Sequence, residues 1–264
     1  MAVRSGVENL YMAESMEAAG ANDRGRPNGP DPTERTASAP GAVPDDLADV
    51  AGQVFGDRLP LARRYAELLA TEGTLRGLVG PREAPRLWDR HLLNCAVLAE
   101  LLPVGSVVAD VGSGAGLPGI VLGVARPDLT VVLIESLARR TAFLDEVVDE
   151  LGLSRVSVVR GRAEELVGRI PVPDVVTARA VASLDRLARW CLPLLPVGGR
   201  LLAMKGASAP EEAAEHAAQV RRAGGDDPRV LRCGVGVVEP ATIVVEIVRR
   251  RGADSKKKRG RANR

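Results

Sequence analysis

The sequence predicts an α/β fold: a mostly parallel, doubly wound sheet that ends in an antiparallel hairpin and is preceded by an N-terminal helical cap. Three observations predict it. From about residue 105 onward, short apolar runs alternate with segments of helical period, a pattern that calls for a parallel sheet covered on both faces. The last two strand-like runs, 229–237 and 241–249, are separated only by a short turn at Glu239-Pro240. Without room for a crossover helix they must pair antiparallel. Ahead of the alternation, residues 45–102 carry apolar side chains at three- and four-residue spacing.

Taken in order, residues 1–44 are rich in Gly, Pro, Asp, Asn, Ser and Thr and have no sustained apolar period. They bury too little surface to offset chain entropy and are expected to be disordered. Helical stretches follow at 45–56, 59–71 and 83–102, with Leu87, Cys95, Leu98 and Leu102 on one stripe. The cap is assigned to 45–104 and the sheet domain to 105–251. Within the latter, strands are expected at 106–111, 130–134, 155–160, 174–178 and 199–204. Helices are expected at 117–125, 137–151, 163–167, 183–195 and 210–223. Residues 252–264 form a basic tail holding Lys256, Lys257, Lys258, Arg259, Arg261 and Arg264.

Composition narrows the class. With 45% apolar and 2% aromatic residues, the core must be built from Val, Leu, Ala and Ile. Lysine occurs only at 205 and 256–258, an Arg/Ala/Gly/Val bias that reflects a GC-rich genome and is not in itself evidence for nucleic acid. Cys95, Cys191 and Cys233 are odd in number and widely spaced, which reads as buried free thiols in a reducing compartment. The two histidines, His91 and His216, are too few for a histidine-rich metal centre, and no metal is expected. No apolar run reaches the ~18–20 residues of a membrane span, and the N-terminus lacks a signal-peptide layout. The expectation is a cytoplasmic chain that needs no membrane and nothing beyond a monomer.

The chemistry concentrates in residues 107–119, where an apolar run ends in an acid and breaks into alternating glycines before a helical pattern resumes. This is a buried strand, a tight turn without side chains and a helix N-terminus, a place where a ligand meets bare N–H groups at the positive end of a helix dipole. Two registers compete. Gly114-Ala-Gly116-Leu-Pro-Gly119 satisfies the dinucleotide pattern, with Glu135 near the expected offset for a ribose-binding acid. The other register, Asp110-Val-Gly112-Ser-Gly114-Ala-Gly116, resembles motif I of S-adenosylmethionine methyltransferases. There the first glycine follows the strand directly, and Asp110 at the strand edge can hold the cofactor's ammonium group. Glu135 accepts from ribose hydroxyls in both.

Together these pieces resemble the ribosomal RNA small subunit methyltransferase G family, also called glucose-inhibited division protein B, over roughly residues 50–250. The matching signatures are Asp110-Val-Gly-Ser-Gly-Ala-Gly-Leu-Pro-Gly119, Ile134-Glu135-Ser136 with Arg139-Arg140 and Phe143-Leu144, and Gly161-Arg-Ala-Glu164. Val176-Thr-Ala-Arg179-Ala180 and Lys205-Gly206 complete them. The resemblance implies a Rossmann-like class I methyltransferase that moves a methyl group from S-adenosylmethionine to N7 of a guanosine in a loop of 16S ribosomal RNA, free or in the 30S subunit. By position it implies cofactor contacts at Gly112, Leu117, Ala163, Glu164 and Arg179, supported by Asp110, Gly114, Gly116 and Glu135. The chain departs from the family at Asn94-Cys95, where many relatives have aspartate and serine, at 76–83, and at Glu135, where aspartate is common.

Guanine N7 has a lone pair and no proton to lose, so this reaction asks for no general base. Arg179, Lys205 and His91 are the expected base-positioning donors, for charge growing on O6 and N7; a half-buried His91 that fixes cap to core is the alternative. Arg139, Arg140, Lys205 and the tail residues Lys256, Lys257, Lys258 and Arg259 are the expected RNA contacts. Three other readings stay open: a nicotinamide-dependent oxidoreductase, a small-molecule methyltransferase, and a non-catalytic RNA-binding protein of ribosome assembly.

Overall fold

The computed structural model describes residues 39–250. The tail residues Lys256, Lys257, Lys258 and Arg259 therefore lie outside the described residues, as do positions 1–38. Residues 39–44, at the end of the stretch expected to be disordered, pack against the helices. The Gly41 carbonyl accepts a hydrogen bond from Trp88 Nε1 at 2.8 Å, and a Cβ at Gly41 would stand 2.4 Å from the Ala66 backbone.

The helical segment comprises α1 (Ala48–Phe55), α2 (Leu59–Leu68) and a rod centred on α3 (Asn94–Ala96). The rod begins as a π-helical stretch, Leu87–Leu93, and ends as a 3-10 stretch, Val97–Leu101. The apolar stripe expected from the sequence is buried: Leu87, Cys95, Leu98 and Leu102 are at most 6% exposed. Phe55 meets Trp88 edge-on, with ring centroids 6.1 Å apart.

The sheet comprises β1 (Val107–Val111), β2 (Thr130–Glu135), β3 (Val156–Arg160), β4 (Val175–Arg179), β5 (Arg200–Lys205), β6 (Arg229–Cys233) and β7 (Thr242–Val248). Their order is β3-β2-β1-β4-β5-β7-β6. The first five run parallel, whereas β7 pairs antiparallel with both β5 and β6. Helices α4 (Gly119–Ala125), α5 (Ala138–Glu150), α6 (Leu184–Cys191) and α7 (Ala209–Arg222) make the crossovers. The doubly wound sheet with its antiparallel end is as the sequence predicts.

Alternation along the strands separates two cores. Val108, Val131 and Leu133 face the helical segment, α4 and α5. Ala109, Val111, Val132 and Ile134 face α6 and α7. Burial on both faces is why these strands read as continuous apolar runs. The helical segment and the sheet share the first of these cores, from Ala51 and Tyr65 through to Val244.

The final hairpin differs from expectation. Strand β6 stops at Cys233, not at 237, and residues 234–241 form a loop. The reason is local. Gly234 and Gly236 take φ of +70° and +78°, and the Val237 and Val238 N–H groups both turn back onto the Gly234 carbonyl at 2.9 Å. Gly234 packs so closely on Val97 that a Cβ would stand 2.7 Å from it, and its N–H donates to the Glu100 carboxylate.

Candidate active site

In a parallel sheet the strand ends of one sense gather at one edge, and ligands bind where the winding reverses. Here β1 is followed by β2 and β3 on one side and by β4 and β5 on the other, so the reversal falls between β1 and β4. Two cavities open along that edge. The smaller, about 380 Å³, is lined by Gly112, Glu135, Ser136, Ala163, Glu164 and Val181 among others. The larger, about 610 Å³, is lined by residues from β4, β5, the β6–β7 loop and the π-helical stretch, including Arg90, Asn94, Arg179 and Lys205. Consecutive residues divide them: Arg179 and Ala180 line the larger cavity, Val181 the smaller. Ala180 is the described non-glycine residue with positive φ, +53°, the kind of backbone strain that collects at functional sites.

The glycine turn is shaped from behind as much as from in front. Gly112 takes φ of +73°, and a Cβ there would stand 2.7 Å from Val181 Cγ2. At Gly116 a Cβ would meet Ile120 and the Tyr65 hydroxyl, and at Gly119 it would come within 2.2 Å of Leu133. The Tyr65 hydroxyl donates to the Ala115 carbonyl at 2.8 Å, so α2 supports the turn directly. Gly114 has open space at its Cβ position, with the nearest atom 3.8 Å away. Gly112, Glu135, Ala163 and Glu164 line the smaller cavity; Asp110, Gly114, Gly116 and Leu117 are not on its wall, and Arg179 faces the other cavity.

Glu135 does more than end β2. Its side chain is buried, and Oε1 accepts from the Ser136 and Leu137 N–H groups at 2.9 and 3.0 Å. Oε2 accepts from Gly114 N–H at 3.1 Å and, at 3.4 Å, from Arg140. The carboxylate thus ties the glycine turn to the entry of α5. Arg140, expected on RNA, is turned inward to Glu135, with its Nε buried and without a partner among the described residues. Arg139 is exposed.

Asp110 is fully buried beneath the turn. Oδ2 accepts from Gly119 N–H at 3.0 Å, while Oδ1 has no partner among the described residues. Burial raises its pKa to about 7 against the pull of the Gly119 N–H. The native group therefore holds a proton between about pH 4 and 7 that the unfolded chain has released, and stability falls as pH rises through that window, levelling off above it. Asp110→Asn is expected to remove this fall; denaturant midpoints measured from pH 4 to 8 check it, with parallel pH curves for the two proteins as the contrary result.

The expected base-positioning donors are all committed within the protein. Arg179 donates to Cys95 Sγ at 3.0 Å, to the Arg90 carbonyl at 3.1 Å and to His91 Nδ1 at 2.6 Å. A guanidinium has no acceptor, so His91 Nδ1 must accept and Nε2–H must donate to Glu83, 2.8 Å away. Burial and the neighbouring Arg179 charge hold His91 below its usual pKa. His91 is thus the residue that fixes helical segment to sheet, the alternative the sequence allowed. Lys205 Nζ donates to the Ala182 carbonyl and to Glu212 Oε1, both at 2.8 Å, pinning the 180–183 loop against α7. The Glu83–His91–Arg179–Cys95 chain and the Lys205–Glu212 tie are contacts that sequence reasoning missed. Among the described residues no cluster of His, Cys, Asp or Glu has the makings of a metal site, and no helix is long and apolar enough to cross a membrane.

Comparison with known proteins places this architecture. The family described as GidB, rRNA small subunit methyltransferase G, matches residues 58–236. A protein named ribosomal RNA small subunit methyltransferase G from Salinispora tropica is 66% identical over 222 residues, 80% of this chain and 92% of that one. Namesakes from Streptomyces avermitilis and Corynebacterium efficiens are 58% and 52% identical, covering 75% and 83% of this chain and 83% and 96% of their own. A solved SAM dependent methyltransferase from Aquifex aeolicus matches at 22% identity and a TM-score of 0.46, over 64% of this chain and 98% of that one. With most of its length matched at such identity, the chain belongs to the rRNA small subunit methyltransferase G family.

Proposed function

We propose that this protein transfers a methyl group from S-adenosylmethionine to N7 of a guanosine in 16S ribosomal RNA. Family membership supports the reaction class, and the observation that carries the assignment of sites is the pair of cavities divided by the Arg179–Val181 segment. The cofactor belongs in the smaller one, and its wall fits: Glu135, whose Oε2 can exchange its long 3.4 Å contact with Arg140 for a ribose hydroxyl, backbone and Glu164 after β3 for an adenine, apolar Val181 and Ile134 beside them. The unpaired, buried Asp110 Oδ1 is the acceptor for an ammonium group, reached through water because Asp110 lies below the turn. The target base belongs in the larger cavity.

When bound, S-adenosylmethionine supplies an electrophilic methyl group on a sulfonium. N7 attacks with its own lone pair, so the protein's work is to orient the base and exclude water, an effect that supplies up to about 7–11 kcal/mol. The base ends cationic. Full positive charges aimed at O6 and N7 would oppose that, which corrects the expectation for Arg179 and Lys205. Their role is to hold the dividing segment: Arg179 from the helical segment's side, Lys205 from α7. Extrusion of the base from an irregular RNA loop costs a few kcal/mol, and Arg139, which is exposed, would supply a cation for phosphate.

The test is transfer of labelled methyl from S-adenosylmethionine to 16S RNA and to 30S particles from cells lacking the gene, with nucleosides resolved by mass spectrometry. One new 7-methylguanosine is the expected product. A different methylated nucleoside, or none on either substrate, refutes the proposal.

A further inference from the structure

The larger cavity has a charge pattern that the transfer reaction alone does not explain. Its cationic lining is spoken for: Arg86 pairs with Asp89 at 3.2 Å, Arg90 with Glu83 at 2.9 Å, Lys205 with Glu212 at 2.8 Å, and Arg179 with the His91–Cys95 face. Two carboxylates line the same space, Asp89 and Glu239. Asp89 is taken by Arg86, whereas Glu239, an exposed side chain on the cavity wall, makes no hydrogen bond or ion pair among the described residues. Nor does it hang on a loose turn. The 234–241 loop that carries it is fastened to the helical segment through Gly234 N–H and the Glu100 carboxylate, at 3.0–3.1 Å, and folds back on its own Gly234 carbonyl. The backbone that carries Glu239 is thus held in place, while its carboxylate stays free to accept from a ligand.

We propose that Glu239 reads the target base, accepting hydrogen bonds from N1–H and the N2 amine of guanine in the larger cavity. This rests on the proposed function and deepens it. Of the four RNA bases only guanine offers two adjacent donors on its Watson–Crick edge, and a carboxylate with two parallel acceptor oxygens matches them. Adenine and cytosine would set a ring-nitrogen lone pair against the carboxylate, and uracil has carbonyls on both sides of its single N–H. The assignment also serves the chemistry. As the S–CH3 bond breaks and the N7–CH3 bond forms, the sulfonium becomes a neutral thioether, the purine takes up the positive charge and no proton leaves. N1–H becomes a stronger donor as that charge grows, so a carboxylate there binds the transition state more tightly than the substrate. Asn94, whose side chain makes no hydrogen bond among the described residues, offers an amide donor for O6.

Glu239→Gln keeps the shape but sets one donor against the two donors of guanine. It is expected to lower kcat/KM on unmethylated 30S particles about 10- to 100-fold, with S-adenosylmethionine affinity and melting temperature unchanged, and Glu239→Asp recovers part of the loss. A second measurement needs no turnover: titration of the protein with the 5′-monophosphates of 7-methylguanosine and 7-methylinosine, which share the cationic ring and differ in the N2 amine. The wild-type protein prefers the first, and Glu239→Gln abolishes the preference. Equal affinity of the wild-type protein for the two nucleotides, or a Gln variant as active as wild type, overturns the proposal. A wild-type protein that makes no 7-methylguanosine on 30S refutes the proposed function instead, and the titration still decides whether the cavity reads guanine.

Discussion

Arg179→Ala is expected to lower the melting temperature by on the order of 10 °C and turnover by on the order of 100-fold. The side chain spans from the end of β4 to the helical segment and serves Cys95 Sγ, the Arg90 carbonyl and His91 Nδ1 at once. Truncation leaves those acceptors unpaired in a half-buried joint, at a cost of about 1–3 kcal/mol for each one that water fails to reach. It also releases Ala180 and Val181, which divide the two cavities, and a displacement of about 1 Å at such a point is worth about two orders of magnitude in rate. Arg179→Lys keeps the charge but not the planar fork, and recovers less than half of either loss. Thermal melts and single-turnover methyl transfer measure the two effects. A variant that melts normally and turns over slowly would show instead that Arg179 acts on the reactants and not on the joint.

Gly112→Ala is expected to weaken S-adenosylmethionine binding on the order of 100-fold, measured by calorimetry. Two costs combine. A side chain at φ of +73° carries strain of about 1–2 kcal/mol, and its Cβ would lie 2.7 Å from Val181 Cγ2. Val181 lines the same cavity, so relief of that clash moves one wall against the other. The double variant with Val181→Ala removes the clash and keeps the strain, and should recover about tenfold. Affinity unchanged in the single variant would place the cofactor elsewhere. Gly114, with its open Cβ position, is the weaker test of the cavity despite its place in the motif.

The topology was legible because β1, β2, β4 and β5 are buried on both faces and leave unbroken apolar runs between helical patterns. The overextended β6 shows where that signal misleads. Val235, Val237 and Val238 look like strand, but Gly234 and Gly236 turn the chain away, and what holds the turn is Val97 and Glu100, far off in sequence. At the site, Gly112, Glu135, Ala163 and Glu164 could be read as motif positions because each sits at or just after a strand's carboxyl end. The joints could not. Arg179 meets partners 84 to 89 residues away, and no local pattern announces that. Lys205 stood out as the one lysine before the tail, yet its partner Glu212 lies across a turn in the first part of α7. Glu239 read as a turn residue, and only the assembled fold brings it to the wall of the larger cavity.

The most direct test of the two-cavity account is a crystal structure with S-adenosylhomocysteine bound. The account predicts the adenosine between Glu135 and Ala163 in the smaller cavity, with the sulfur turned toward Arg179 and Ala180 and the larger cavity free to receive the base. Adenosine seated in the larger cavity, or a sulfur turned away from the dividing segment, would contradict it.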